Sequence, residues 1–232
     1  MENLVVNKII LILKSLFSVK KTKLGNNHLE ISRLKNYTLN KKNLKIHLGT
    51  GPRVLKGWIN IDLVFTPYQE YLKYYTEKFY AKRIRGSRSE FFAINIVKQP
   101  LPINNNTVSV VFHEDFIEHL DQKEQFILLA EVLRVLKKGG IHRINTPDIA
   151  FSMKENSNFK LGYLGVYQTE WDKHVHKNIL SISTIKEMAK LVGYSKIIVQ
   201  KRDISLAKIP REYRPDPHDR KENGNIYIDL IK

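Results

Sequence analysis

The chain has 232 residues, 42% hydrophobic and 10% aromatic, enough for one sizeable core, with an ordinary 27% charged. Wholesale disorder is thereby excluded, and the absence of cysteine excludes a disulfide framework, a thiolate-held metal, an iron–sulfur cluster and a Cys nucleophile. Thirty-nine Lys and Arg against 23 Asp and Glu leave a formal net charge of +16, which favours anionic partners, although a composition rich in Lys, Asn and Ile produces the same balance without one.

In chain order, residues 1–21 read as an amphipathic helix. Asn3, Asn7, Lys14, Ser15, Ser18 and Lys21 share a narrow polar face opposite Val5, Val6, Ile9, Ile12, Leu13, Leu16 and Phe17. Lys8 and Lys14 make this stretch too charged to span a bilayer, and a signal peptide is not expected without a basic start and a small-residue cleavage site. Its apolar face is expected to pack on the domain, on a second copy, or peripherally on a membrane. Residues 22–43 read as a polar connector with a short strand or turn near 28–34. From Leu44 onward, strands at 44–48, 58–63, 91–96, 108–112, 141–145, 196–202 and 226–231 alternate with helices near 67–83, 121–137 and 183–191. This alternation predicts an α/β fold, a doubly wound and mostly parallel sheet with helices on both faces. The last two strands, joined by a loop with Pro210, Pro215 and Pro217, read as a closing antiparallel hairpin. The division is thus 1–43, helix and connector, and 44–232, one domain with insertions at 64–90 and 149–180.

Ligands of such sheets bind beyond the carboxyl ends of the strands. The first loop there is Leu48-Gly49-Thr50-Gly51-Pro52, where glycine permits close backbone approach. The second strand, Trp58-Ile59-Asn60-Ile61-Asp62, ends in an acid suited to both hydroxyls of a ribose. Phosphate-binding signatures are missing, since there is neither Gly-x-Gly-x-x-Gly nor a Gly-Lys-Ser/Thr loop.

These residues, with Gly57-Trp58-Ile59-Asn60-Ile61-Asp62, Leu101-Pro102-Ile103, Glu118-His119-Leu120 and Arg134-Val135-Leu136-Lys137-Lys138-Gly139-Gly140, resemble the class I S-adenosylmethionine-dependent methyltransferases, in particular a subgroup with a short first crossover. The resemblance covers Leu44 to the C-terminus. It implies strand order 3-2-1-4-5-7-6 with strand 7 antiparallel, S-adenosylmethionine as cofactor and S-adenosylhomocysteine as product. It further implies a cofactor site of His47, Gly49, Thr50, Gly51, Asp62, Leu63, Asn95, Ile96 and His113. The family often has acids where His47 and Asn95 stand.

His113 and Glu114, at the mouth of the fourth strand, are the candidate catalytic residues; His119, Asp148, His174 and His176 are further candidates for a general base. No metal is expected, because His174-Val175-His176 lacks a third clear ligand. The insertion at 149–180, carrying Phe151, Phe159, Tyr163, Tyr167 and Trp171, is expected to overhang the cleft as an acceptor lid. The expected activity is O-methylation of a small molecule or glycan, in the cytoplasm or peripherally at a membrane. Two rivals are RNA methylation, using Lys73, Lys78, Lys82, Arg83, Arg85 and Arg88, and a non-catalytic membrane-associated protein with a degenerate methyltransferase fold.

Overall fold

The structure is a computed structural model that describes residues 27–72, 80–155, 167–212 and 224–232. The amphipathic segment 1–21 lies outside the described residues, as do Lys73, Lys78, Phe159, Tyr163, Pro215 and Pro217. Among the described residues no helix is long and apolar enough to cross a membrane.

The strands are β1 (Leu44–Leu48), β2 (Ile59–Asp62), β3 (Phe91–Ala93), β4 (Val108–Glu114), β5 (Leu136–Pro147), β6 (Lys196–Val199) and β7 (Asn225–Ile231). They form one sheet in the order β3-β2-β1-β4-β5-β7-β6. The pairings from β3 through β5 are parallel, and β7 runs antiparallel to both neighbours. This is the order and the closing hairpin expected from the sequence.

One expectation is corrected. Residues 27–38, read as connector with a strand or turn, form α1 (Asn27–Thr38). Its polar composition hides a short apolar stripe in which Ile31, Leu34 and Tyr37 recur at helical spacing and pack on the core. The Tyr37 ring meets Phe92 edge-on at 5.4 Å, and Glu30 accepts from Arg33 at 2.7 Å and Arg88 at 2.9 Å, which docks the helix beside β3.

Side chains on a strand alternate between faces, and the register turns that rule into two rows across the sheet. One row is Ile61, Leu48, His113, Ile144 and Ile228. It is apolar apart from His113 and is covered by Leu128, Leu129 and Val132 of α3 (Gln122–Val135) and, beyond the short α4 (Ile149–Glu155), by Ile185, Met188 and Ala189 of α5 (Ile182–Val192), with Leu34 of α1 in the same cluster. The other row is Asn60, His47, Phe112, Arg143 and Asp229. Four of its five residues are polar, and all are buried.

This polar face is covered by irregular chain and the short α2 (Tyr68–Leu72). The connection from β1 to β2 is only residues 49–58, too short for the helix that usually joins parallel strands. Instead it pairs with the insertion that follows β2: Lys56 N–H donates to the Ile84 carbonyl at 2.8 Å and Gly86 N–H to the Val54 carbonyl at 2.7 Å. A Cβ on Gly86 would come within 2.9 Å of the Leu55 backbone, so glycine is required for this approach. Asn60 pins the crossover from beneath. Its side chain accepts from Leu55 N–H at 2.7 Å and donates to the carbonyls of Leu55 and Trp58, both at 2.9 Å.

The segment 200–212 covers the rest of that face through ion pairing. Arg143 donates to both oxygens of Glu212 at 2.9 and 2.8 Å, to Asp229 at 3.4 Å and to the Lys201 carbonyl at 2.9 Å. All three charged side chains are fully buried. Breaking such a group from one side strands the remaining charges in low dielectric. Arg143→Met is therefore expected to lose about 3–5 kcal/mol of unfolding free energy. The double variant Arg143→Met/Glu212→Leu should recover much of that loss; chemical denaturation of both checks it.

Candidate functional site

The cleft opens at the carboxyl ends of β1, β2 and β3 and is lined by Leu48, Gly49, Asp62, Leu63, Asn95 and Ile96 on one side and by Phe116, His119, Leu120, Glu124 and Lys177 on the other. Its cavity volume is about 200 Å³, smaller than the roughly 300–1,000 Å³ of most small-molecule sites.

Gly49 begins the turn with φ +58°, a left-handed conformation that side chains other than glycine rarely adopt. Its N–H donates to the Ile61 carbonyl at 2.9 Å, which binds the turn to β2. A Cβ at this position would lie 2.5 Å from the Phe116 ring, so Phe116 covers the glycine directly. Gly51 N–H donates to Asp62 Oδ2 at 2.7 Å and Leu63 N–H to Oδ1 at 2.6 Å. The Asp62 carboxyl is pushed above the ordinary carboxylate range by desolvation, against which these two backbone donors act. Each of its oxygens has a further lone pair to accept from a ligand hydroxyl. Asn95 Oδ1 accepts from Val97 N–H at 3.2 Å, which holds the amide at the cleft wall.

Five of the expected cofactor residues, Gly49, Asp62, Leu63, Asn95 and Ile96, thus line one cleft. Thr50 and Gly51 shape the turn without lining it, Thr50 being buried with its hydroxyl on the Gly51 carbonyl at 3.2 Å. His47 and His113 lie in the two layers behind. The His47 ring stacks on Phe112 at 5.2 Å on the polar face, and burial first, then the Arg53 cation, pulls its pKa down to about 3. His113, on the opposite face, meets Phe116 edge-on at 5.6 Å and His142 at 5.0 Å. Neither of its ring nitrogens has a hydrogen-bond partner among the described residues, and burial takes its pKa to about 3. His113 stands one side chain behind the cleft wall.

Glu114 faces the other way. It forms a buried ion pair with Arg53, whose guanidinium also donates to the Arg211 carbonyl, so the carboxylate ties the crossover and the 200–212 segment to the end of β4. Neither His113 nor Glu114 is in the lining of the cleft. Sequence reasoning missed Arg53 as the partner of Glu114, and missed Phe116, Glu124 and Lys177 as cleft residues. Glu124 carries one legible signal, since Asp121 and Glu124 form the capping box that starts α3.

The strand order, the glycine turn and the acid closing β2 are those that the family resemblance implies. Residues 68–144 match the family model described as a methyltransferase domain. Among solved structures, the chain is similar to an S-adenosylmethionine-dependent methyltransferase from Archaeoglobus fulgidus at 16% identity and TM-score 0.49, over 96% of this chain and 99% of that one. It is similar to another from Thermotoga maritima at 14% identity and TM-score 0.49, over 98% of each. A third is the 1,6-didemethyltoxoflavin-N1-methyltransferase of Burkholderia thailandensis, with its substrate and S-adenosylhomocysteine bound, at 13% identity and TM-score 0.46 over 99% and 87%. No curated protein sequence matches the chain.

The buried histidines make the fold acid-sensitive. An unfolded chain protonates imidazole near 6.5, whereas His47 and His113 stay neutral until about 3 and His142 is held well below its usual value by burial. Below pH 6.5 the unfolded state takes up these protons first, so stability falls as pH drops towards 3, by up to about 1.4 kcal/mol per pH unit for each ring. His113→Leu, which removes one such ring, should flatten the pH dependence of the unfolding midpoint over that window by one ring's share.

Proposed function

We propose that the chain transfers a methyl group from S-adenosylmethionine to an oxygen of a small molecule or glycan. The observation that carries this reading is the convergence of Gly49, Asp62 and Asn95 on one cleft. The cofactor, when bound, supplies a methyl group activated by its sulfonium. The chain's own work is then binding and orientation. Asp62 accepts from the ribose hydroxyls, the Asn95 carbonyl accepts from the adenine amino group, and Leu63 and Ile96 supply apolar contact. Leu63 is 63% exposed at the cleft mouth, where a base would cover it.

Acceptor recognition falls to the side of the cleft built by Phe116, His119 and Lys177, with the insertion at 149–180 as the expected lid. His113 and Glu114 serve this reading as positioning groups: His113 backs Phe116, and Glu114 is held by Arg53. Two cations of the basic insertion are engaged in packing, which favours a small acceptor over RNA. The Arg85 guanidinium lies 3.4 Å from the Tyr68 ring centroid, and Arg88 pairs with Glu30 at 2.9 Å.

Calorimetry with S-adenosylhomocysteine should give measurable binding to the wild type and a loss of about tenfold or more in Asp62→Ala, since each hydrogen bond to a charged group is worth about 1.5–3 kcal/mol. A folded wild type that binds no S-adenosylhomocysteine would sink the proposal. Methylation confined to amine acceptors would overturn its oxygen half.

A further inference from the structure

On the acceptor side of the cleft, residues far apart in sequence meet in a cluster that shares His119 with the cleft wall. Glu118 and His119 lie in a 3-10 turn, Ile117–His119, after β4. Glu118 is fully buried, and its Oε2 accepts from the Thr146 hydroxyl at 2.9 Å. Its backbone carbonyl accepts from Lys177 N–H at 2.8 Å and Asn178 N–H at 3.1 Å, drawing the segment from His176 onward across the turn.

His176 is held from both sides. Its Nδ1 lies 3.0 Å from Glu170 Oε2, and its Nε2 lies 3.9 Å from Glu118 Oε1. Glu170 is itself buried and accepts from the Ser152 hydroxyl. The His119 ring stands edge-on to His176 at 4.9 Å, and His119 also lines the cleft. One ligand atom from each of Glu118, His119 and His176 lies within 4.8 Å of the others.

The backbone is bent to achieve this. Val175 sits at φ +58°, a conformation that is an outlier for a β-branched residue and marks strain held by its surroundings. It follows a π-helical segment, Tyr167–Lys173, a form that recurs at functional sites. Strained Val175 separates exposed chain from buried His176 and turns that imidazole inward beneath the loop.

The chemistry of the arrangement calls for a cation. A carboxylate on Nδ1 fixes the imidazole tautomer and presents the Nε2 lone pair, here towards another carboxylate. Between an imidazole nitrogen and a carboxylate at this range a positive centre is favourable, either a proton on Nε2 or a metal ion held by both groups. Metal bonds of about 2.0–2.2 Å would place ligand atoms roughly 3–3.5 Å apart, so atoms now within 4.8 Å of one another must draw together by rotation of the side chains to close on an ion. Two imidazoles with one carboxylate suit first-row transition ions and not the all-oxygen preference of Mg²⁺ and Ca²⁺.

We propose that Glu118, His119 and His176 form a binding site for a divalent first-row transition metal ion, with Glu170 as the residue that positions His176. Three protein ligands leave coordination positions for water or for an oxygen of a molecule in the neighbouring cleft. The sequence alone offers only His174-Val175-His176; the fold replaces His174, stacked on His176 at 5.4 Å, with the more suitable Glu118 and His119.

The test uses the full chain, stripped with chelator and titrated with Co²⁺ alone, followed by calorimetry and by the ion's visible absorption bands; neither readout needs the methyl donor. One Co²⁺ should bind per chain and should not be displaced by millimolar Mg²⁺. His176→Ala and His119→Ala should each weaken binding by about 100-fold or more, and Glu170→Gln by about tenfold, with circular dichroism reporting that each variant is folded. His28→Ala, on exposed α1, should bind as the wild type does. Absence of stoichiometric binding, or binding that survives in folded His176→Ala, overturns the proposal. So does an NMR titration showing a protonated His176 in a chain that takes up no Co²⁺, since the positive centre would then be a proton.

Discussion

The constraint on which the rest of this structure depends is the length of the first crossover. Ten residues, 49–58, carry the chain from β1 to the parallel β2, and they cannot both reverse direction and form a helix broad enough to cover the sheet. One face of the sheet therefore keeps its helices and its apolar row. The other is roofed by loops, whose backbone groups and side chains require polar partners when buried. Asn60, Arg143 and Asp229 in the second row meet that requirement by hydrogen bonds to the covering chain, while His47 stacks on Phe112.

The same constraint organises the cleft. Because the crossover is short, Gly51 comes back within reach of Asp62, and its N–H holds the carboxylate that ends β2. The turn and the acid are thereby one unit, fixed before any ligand arrives, which is the preorganisation a binding site needs. Arg53, two residues on, crosses to Glu114 and the 200–212 segment, so the outer end of β4 is tied to the crossover from the polar side. The proposed methyl transfer asks for a rigid seat for the cofactor and a separate acceptor side, and these ties would supply the rigid half. The opposite wall, with Phe116, His119 and Lys177, is built from the chain after β4 and from the segment leading into α5, elements that can vary with the acceptor while the cofactor side stays constant.

Much of the fold was legible in the sequence. Strong apolar runs at 44–48 and 108–112 can only be buried central strands, and Gly49 and Asp62 stand at strand ends where a doubly wound sheet places its ligands. The helix at 27–38 was not legible, because its core contacts are three residues in a Lys- and Asn-rich stretch. Glu114 looked like a base because a strand-end acid faces the ligand side in a generic sheet. Which face it takes, and that Arg53 neutralises it, depends on register and on a loop 61 positions away. His113 looked accessible for the same reason and is enclosed by Phe116 and His142.

Local pattern thus determined the class of fold, the strand order implied by its family resemblance, and the strand-end residues that line the cleft, since alternation and strand-end position are properties of short stretches of chain. Only the tertiary structure decided which buried charges pair, which face of the sheet is polar, and that Glu118 and His119 meet His176. Those outcomes depend on contacts between segments that sequence order leaves far apart, and the free energy of a buried ion or imidazole is set by the neighbours that packing brings to it.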